Sequence, residues 1–159
     1  MMDRGEYDAL GFYQAGTLEG YAMLWRGGRY VLLDYLAVCE GKRGRGTGSE
    51  MLALLSERYA GFAGILAEAE AEEEDAPPEV NALRARRLSF YRRGGFTVLD
   101  YEADIFSVRS AMLLRTPGGS ADSAAAMEAH RALYRSRLPA PLYRRFVHIP
   151  IQEKEGTRA

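Results

Sequence analysis

Short apolar runs separated by glycine-containing turns fill the first quarter of the chain and predict an antiparallel meander. Residues 9–14 and 18–25 are apolar and aromatic, and the turn between them, at Gly16, predicts a hairpin. A second turn leads into Tyr30–Val38, which is apolar almost throughout. Such a run indicates a central strand buried on both faces. Its one charged residue, Asp34, therefore requires an explanation.

The middle of the chain predicts helices that alternate with strands, because its apolar spacing changes between the helical and the extended period. In chain order the predicted elements are a helix over residues 49–59, a strand over 64–70, an exposed acidic loop over 72–79, a basic helix over 81–93 and strands over 96–103 and 108–115. Gly61 is the expected stop of the first helix.

The last quarter of the chain predicts a helix and a further strand behind a Pro-Gly-Gly-Ser linker. The helix is expected over residues 121–138, the run Pro139-Ala140-Pro141 should end it, and residues 143–151 predict an added strand. We therefore divide the chain into a domain over 1–116, a linker over 117–121 and a C-terminal segment over 122–159.

A basic, glycine-rich hexapeptide joins the third predicted strand to the first predicted helix. It reads Arg43-Gly44-Arg45-Gly46-Thr47-Gly48. Such a turn lets backbone N–H groups converge on an anion without obstruction by Cβ atoms, and the helix N-terminus adds partial positive charge. The pattern predicts a phosphate or pyrophosphate site, although a solvated basic turn would use the same residue types.

The glycine spacing distinguishes between three phosphate-binding loops. A Walker loop needs Lys and then Ser or Thr after its last glycine, whereas Gly46 is followed by Thr47 and Gly48. A dinucleotide loop, G-x-G-x-x-G, would need glycine at position 49 or 51, where the chain has serine and methionine. The spacing that fits is Arg-x-x-Gly-x-Gly, which begins at Arg43.

A second motif lies at the end of the basic helix. In Phe90-Tyr91-Arg92-Arg93-Gly94-Gly95-Phe96, an aromatic pair is followed four residues on by Gly-Phe. Together the two motifs resemble those of the GCN5-related N-acetyltransferase (GNAT) superfamily. The resemblance implies an α/β acyl-coenzyme A N-acyltransferase fold. In that fold a mixed, mostly antiparallel sheet holds a splayed central pair of parallel strands and is flanked by helices.

The predicted order of elements departs from the family at its beginning. It matches the GNAT order without the first strand and the first two helices, so we interpret the chain as N-terminally short. Those helices normally wall the acceptor site. We expect the C-terminal helix to pack on the sheet. A sharper hypothesis is that the tail fills the vacated space, within the chain or across a homodimer.

The resemblance implies acetyl-coenzyme A as co-substrate. Its pyrophosphate is expected on backbone N–H groups of the glycine-rich loop, and its pantetheine arm along the main chain of the preceding strand. The implied binding residues are Leu36, Ala37 and Val38 for the arm, and Arg43, Gly44, Arg45, Gly46, Thr47, Gly48 and Ser49 for the pyrophosphate.

The resemblance also implies the residues that move protons. Tyr91 matches the family tyrosine that protonates the departing thiolate, and a neutral phenol suits that task. The attacking amine must lose a proton, for which Glu68 and Asp34 are the candidates. A structural or substrate-orienting role is at least as plausible for each of these carboxylates.

One helix position departs from the family pattern. Many members have Asn seven residues before the tyrosine, where this chain has Arg84, while Asn81 lies ten residues before it. Arg84, Arg86 and Arg87 could contact phosphate or cover the helix with charge, and we favour the charged surface.

Composition limits the remaining possibilities. With 159 residues, of which 47% are hydrophobic, the chain suits one domain with an appendage. Its net charge of -1 argues against a nucleic-acid partner, and lone Cys39 excludes an internal disulfide. The absence of an apolar leader or membrane-length run leads us to expect a cytoplasmic protein without a membrane partner. The spacing of His130 and His148 suggests no metal site.

We therefore expect an N-acetyltransferase that acts on a primary amine of a small molecule or peptide. Two alternatives remain at this stage. One is a non-catalytic acyl-coenzyme A sensor or partner subunit, and the more distant one is nucleic-acid binding through Lys42 to Arg45.

Overall fold

The computed structural model describes residues 6–152, which form a mixed sheet with helices on both faces. The elements in chain order are β1 (Tyr7–Gln14), β2 (Thr17–Gly27), β3 (Tyr30–Val38), α1 (Thr47–Arg58), β4 (Gly64–Glu70), α2 (Pro78–Arg93), β5 (Thr97–Ile105), β6 (Val108–Arg115), α3 (Ser123–Arg137), α4 (Ala140–Phe146) and β7 (Val147–His148). The bounds predicted for β3, β4 and β6 are confirmed.

The seven strands lie in the order β1-β2-β3-β4-β6-β5-β7. All neighbours are antiparallel except β3 and β4, which are parallel and connected through α1. The β1–β2 hairpin turns at Ala15 and Gly16, whose φ angles of 49° and 79° suit the tight turns that match strand twist. This is the α/β arrangement that the two motifs implied, including the central parallel pair.

The parallel pair separates soon after it forms. Pairing between β3 and β4 runs only from Tyr30 opposite Gly64 to Leu33 opposite Ala67. At that point β3 also has a bulge, because Leu33 and Tyr35 pair with consecutive residues of β2 and Asp34 is left between them. The rest of β3 stays paired with β2 alone, so a cleft opens between β3 and β4.

The core has two parts, one on each face of the sheet. Helices α1 and α2 cover one face, where Leu52, Leu55 and Tyr91 pack against the strands. Helix α3 covers the other face through Leu133 and Tyr134. The C-terminal helix α3 therefore packs on the sheet.

The structure corrects the predicted bounds of the elements at two proline-containing segments, one before α4 and one before α2. The run Pro139-Ala140-Pro141 was expected only to end a helix, but it also begins α4, because proline is tolerated in the first helical turn. The predicted strand over 143–151 is consequently wrong in its first half. Val147–His148 pairs with β5, and Ile151 N donates to Glu102 O of the same strand at 2.8 Å. For the same reason α2 begins at Pro78, inside the predicted loop.

Candidate active site

A cleft of about 880 Å³ lies where β3 leaves β4. It is bounded by the free end of β3, the loop that follows, the first turn of α1 and the last turn of α2. The predicted site residues that line it are Asp34, Leu36, Ala37, Val38, Arg43, Gly44, Gly46, Thr47, Gly48, Ser49, Glu68 and Tyr91. Arg45 is the exception, since it borders a separate hollow with Glu19.

The loop before α1 has the geometry of an anion site. Gly44 and Gly46 both have φ of 79°, a conformation that residues with a Cβ rarely adopt. Gly46 is the N-cap of α1 and provides no side-chain cap, and the first helical bond runs from Glu50 N to Gly46 O at 3.1 Å. The N–H groups of the first turn are therefore left for another acceptor.

Charge around the loop is unevenly distributed. Lys42 pairs with Glu19 at 3.2 Å, so its ammonium is already partly neutralised. Arg43, Arg87 and Arg93 line the cleft itself. The cleft is thus lined by three guanidinium groups as well as by the carboxylates of Asp34, Glu68 and Glu70.

The end of β3 offers main-chain groups to the cleft. Leu36, Ala37 and Val38 pair with β2 on one side only, opposite Ala22, Tyr21 and Gly20 respectively. Their other edge has no partner strand because β4 has already diverged. This edge can accept an extended ligand in the manner of an added strand.

Tyr91 lies at the end of α2 between two other aromatic rings. Its ring makes edge contacts with Phe90 and Phe96, each with centroids 5.3 Å apart. Burial raises the pKa of Tyr91 above its ordinary value, and the charge of Arg87 opposes part of that shift. The phenol therefore stays protonated at neutral pH while it borders the cleft.

Glu68 extends from β4 to the opposite face of the sheet and contacts α3. Its Oε1 accepts a hydrogen bond from the Tyr134 hydroxyl at 2.7 Å and lies 2.9 Å from His130 Nε2. His130 Nδ1 is in turn 3.2 Å from the Tyr101 hydroxyl. A carboxylate oxygen accepts hydrogen bonds, so Nε2 is the donor to Oε1.

The sequence motifs do not identify His130 and Tyr134 as partners of Glu68. One signal was available, because His130 lies four residues before Tyr134 and hence on the same face of the predicted helix. Their contact with β4 depends on tertiary packing and could not be predicted from spacing.

Asp34 connects the cleft to a second, smaller cavity. Its Oδ2 accepts a hydrogen bond from the Tyr7 hydroxyl at 2.8 Å and lies 3.7 Å from the Arg137 guanidinium. The cavity measures about 250 Å³ and its other walls include Phe106, Tyr134 and Leu138. Asp34 and Glu68 are thus the carboxylates that the structure brings to the α3 face beside the cleft.

Among the arginines of α2, Arg86 and Arg87 are exposed, whereas Arg84 departs from the predicted charged surface. The Arg84 side chain is only 16% exposed and donates to Glu70 at 3.2 Å. Arg87 lines the cleft instead. Asn81 has a structural role, since its amide bonds the backbone N and O of Glu73.

Among residues 6–152, no group of three or more His, Cys, Asp or Glu side chains is arranged to hold a metal ion. No helix in this part of the chain is long and apolar enough to cross a membrane.

No family model and no curated protein matches this sequence. Solved structures do resemble it. A protein from Bacteroides thetaiotaomicron described as a GNAT-family acetyltransferase has a TM-score of 0.62 and 19% identity, over 78% of this chain and 68% of that chain. The ribosomal-protein-S18-alanine N-acetyltransferase of Escherichia coli has a TM-score of 0.55 and 16% identity, over 70% and 69%.

An acetyltransferase of Bacillus subtilis, solved in complex with CoA, has a TM-score of 0.55 and 14% identity, over 70% of this chain and 78% of that chain. At these identities the likeness establishes the fold. The chain has the GNAT acetyltransferase fold.

Proposed function

We propose that this protein is an N-acetyltransferase that transfers an acetyl group from acetyl-coenzyme A to a primary amine within a ternary complex. The observation that carries the proposal is the single cleft between β3 and β4. An uncapped helix N-terminus, an unpaired strand edge, Tyr91 and Glu68 all border it.

The cleft suits coenzyme A in charge and in hydrogen-bonding groups. The first-turn N–H groups of α1 would hold the pyrophosphate, and Arg43 would offset its charge. The free edge of Leu36, Ala37 and Val38 would bond the amides of the pantetheine arm. When bound, acetyl-coenzyme A supplies the activated thioester.

Tyr91 is the proposed proton donor to the leaving thiolate. Its phenol stays neutral because burial raises its pKa, and it lines the cleft from the α2 side. A donor that keeps its proton at neutral pH is available whenever the thiolate forms.

Glu68 is the proposed proton acceptor for the amine, and Asp34 is proposed to orient it. Both carboxylates border the cleft from the face of the sheet that α3 covers. Tyr91 belongs to the core on the opposite face. Acid and base would therefore act on the thioester from opposite sides of the opening between β3 and β4.

The acceptor would approach over the α3 face, past Asp34. The smaller cavity there combines this carboxylate with apolar walls from Phe106 and Leu138. A carboxylate attracts an ammonium group, and apolar walls suit the carbon skeleton that bears it. The acceptor is therefore proposed to be a small-molecule or peptide amine.

Calorimetry with coenzyme A and an acetyl-transfer assay test the proposal. The assay would use acetyl-coenzyme A with an arylalkylamine, a polyamine and peptides with free N-terminal or lysine amines. Binding together with transfer to one of these classes supports the proposal. Binding without any transfer would indicate a non-catalytic acyl-coenzyme A protein, and absence of binding would refute both functions.

A cytoplasmic location and a homodimer also belong to the proposal. Cell fractionation and sedimentation velocity would test them separately.

A further inference from the structure

A chain of three side chains lies beside the cleft and joins three elements. Glu68 on β4 contacts His130 on α3, which contacts Tyr101 on β5. The His130 side chain is fully buried, whereas the Glu68 side chain is 21% exposed and lines the cleft. The chain of hydrogen bonds thus runs from the cleft into the core.

Packing alone does not account for His130. Its neighbours on the inner face of α3 include Ala126 and Leu133, and an apolar side chain would serve that layer equally well. Within residues 6–152 the buried polar side chains are Ser110 and His130, and of the two His130 is completely enclosed. Burying an imidazole is costly unless both ring nitrogens are bonded, and here both have partners.

The two hydrogen bonds to Glu68 meet at one oxygen. His130 and Tyr134 both contact Oε1, and in the described part of the chain no hydrogen bond involves Oε2. Two donors on one oxygen fix the carboxylate plane and leave the second oxygen available to a ligand in the cleft.

We propose that His130 is a positioning residue, which holds Glu68 through Oε1 so that Oε2 takes a proton from the acceptor amine. The inference rests on the proposed acetyl transfer. The amine proton passes to Oε2 as the nitrogen bonds the acetyl carbonyl carbon. The C–S bond then breaks, and the thiolate takes its proton from Tyr91. Exchange with water afterwards removes the proton from Glu68 and restores the one on Tyr91.

Other charged and titratable groups act on the same carboxylate. Burial and the charge of Glu68 raise the pKa of both Tyr134 and Tyr101, so both hydroxyls remain hydrogen-bond donors at neutral pH. The groups that face this cluster are Tyr134, Arg131 and Arg137 on α3, Tyr101 on β5 and Asp34 on β3. His130 and Tyr134 are the two that bond Glu68 directly.

The test compares His130→Phe with His130→Gln, since the glutamine amide can still donate to Oε1. We expect His130→Phe to lower kcat roughly tenfold or more, with KM for acetyl-coenzyme A within about twofold of the wild type. The acid limb of the kcat profile should move to higher pH, because Oε1 loses a donor that favours the ionised form. His130→Gln should restore most of kcat. The same substitutions at exposed His148 are the matched controls.

A double variant separates positioning from general stabilisation. If His130 acts through Glu68, His130→Phe should change kcat by less than about twofold once Glu68→Gln is present. A further loss of tenfold in that background would overturn the inference. So would a wild-type kcat and pH profile in His130→Phe.

Ring ¹⁵N NMR gives a readout that needs no turnover and no folded His130→Phe. Glu68→Gln should shift the His130 ring nitrogens and leave those of His148 unchanged. Unchanged His130 signals would overturn the inference. A wild type that binds coenzyme A but acetylates no amine would refute the proposed function, and with it this role of His130, even if the two side chains are coupled in the NMR spectrum.

Discussion

Gly48 in the first turn of α1 lies directly against the ring of Phe90 on α2. A Cβ added to the glycine would lie 3.0 Å from Phe90 Cε2 and 3.1 Å from Cζ. This contact sets the spacing between the N–H groups proposed to hold pyrophosphate and the helix end that carries Tyr91. The second glycine of the loop motif therefore also serves helix packing.

Substituting Gly48 with valine should separate the two helices. We expect Gly48→Val to reduce the free energy of unfolding by about 1–3 kcal/mol, because overpacking forces Phe90 aside. Urea denaturation measures the loss. Phe90→Leu in the same chain should recover part of it, and purely additive effects of the two substitutions would contradict the contact.

Substituting Gly46 should affect the anion site without a steric clash. No atom lies within 4 Å of a Cβ built there, yet its φ of 79° strains any other residue by about 1–2 kcal/mol. We expect Gly46→Ala to weaken coenzyme A binding roughly 5- to 30-fold if the loop relaxes to avoid that strain. Calorimetry tests this, with Gly118→Ala as the control because that glycine has neither positive φ nor close neighbours. Equal affinity for both variants would disprove the prediction.

Removing the Tyr91 hydroxyl should slow the reaction without weakening donor binding. Tyr91→Phe keeps the ring contacts with Phe90 and Phe96, so we expect kcat to fall about 100-fold while the Kd of coenzyme A stays within about twofold. Because burial raises the pKa of Tyr91, loss of its proton should not limit kcat until the pH exceeds the ordinary tyrosine value of 10.0. Tyr13→Phe, at a residue that is 70% exposed, is the control. Wild-type turnover in Tyr91→Phe would remove this residue from the mechanism.

Tyr59 should make the free energy of unfolding depend on pH in the alkaline range. Its hydroxyl donates to Asp8 Oδ2 at 2.6 Å, and burial together with this bond raises its pKa to about 12. In the unfolded chain the pKa of this tyrosine is 10.0. The contribution of Tyr59 to the free energy of unfolding is therefore complete below pH 10 and disappears as the pH rises through 12. We expect Tyr59→Phe to be less stable than the wild type at pH 8 and the difference to shrink by pH 11.5. Urea titrations at both pH values would show this, and a constant difference would contradict it.

Helix α3 should contribute to the stability of the whole domain. Leu133 is almost fully buried and lies so near Gly27 that a Cβ there would be 1.9 Å from its Cδ2. We expect Leu133→Ala to cost about 2–5 kcal/mol through the cavity that it leaves. Leu142→Ala, at a position that is 42% exposed on α4, should cost much less. Similar urea midpoints for the two variants would show that α3 is not part of the cooperative core.

The bounds of an element could be predicted from the sequence where a strong local pattern of apolar residues and turns defines it. Strands β3, β4 and β6 match their predicted bounds because apolar runs between glycine turns are local signals. The C-terminal segment was harder to predict, because a proline can follow the end of one helix and also begin the next, as Pro139 does before α4.

The candidate site was most predictable where motifs are contiguous. Tyr91 and the loop residues other than Arg45 line the cleft, and so do the two predicted carboxylates, Asp34 and Glu68. Arg45 does not line it, because which arginines of a loop face inward depends on its backbone path. The partners of Glu68 lie 62 and 66 residues away from it, and no spacing rule within a helix or strand reaches that far.

The long separation between Glu68 and His130 has a consequence for the protein as it is made. At a synthesis rate of about 5–20 residues per second, His130 leaves the ribosome roughly 3–12 seconds after Glu68. The loop and α1 precede Glu68 in the chain, and α2, β5 and β6 emerge in that interval. All segments of the proposed donor-binding half of the cleft therefore emerge before the residues that hold the carboxylate on its far wall.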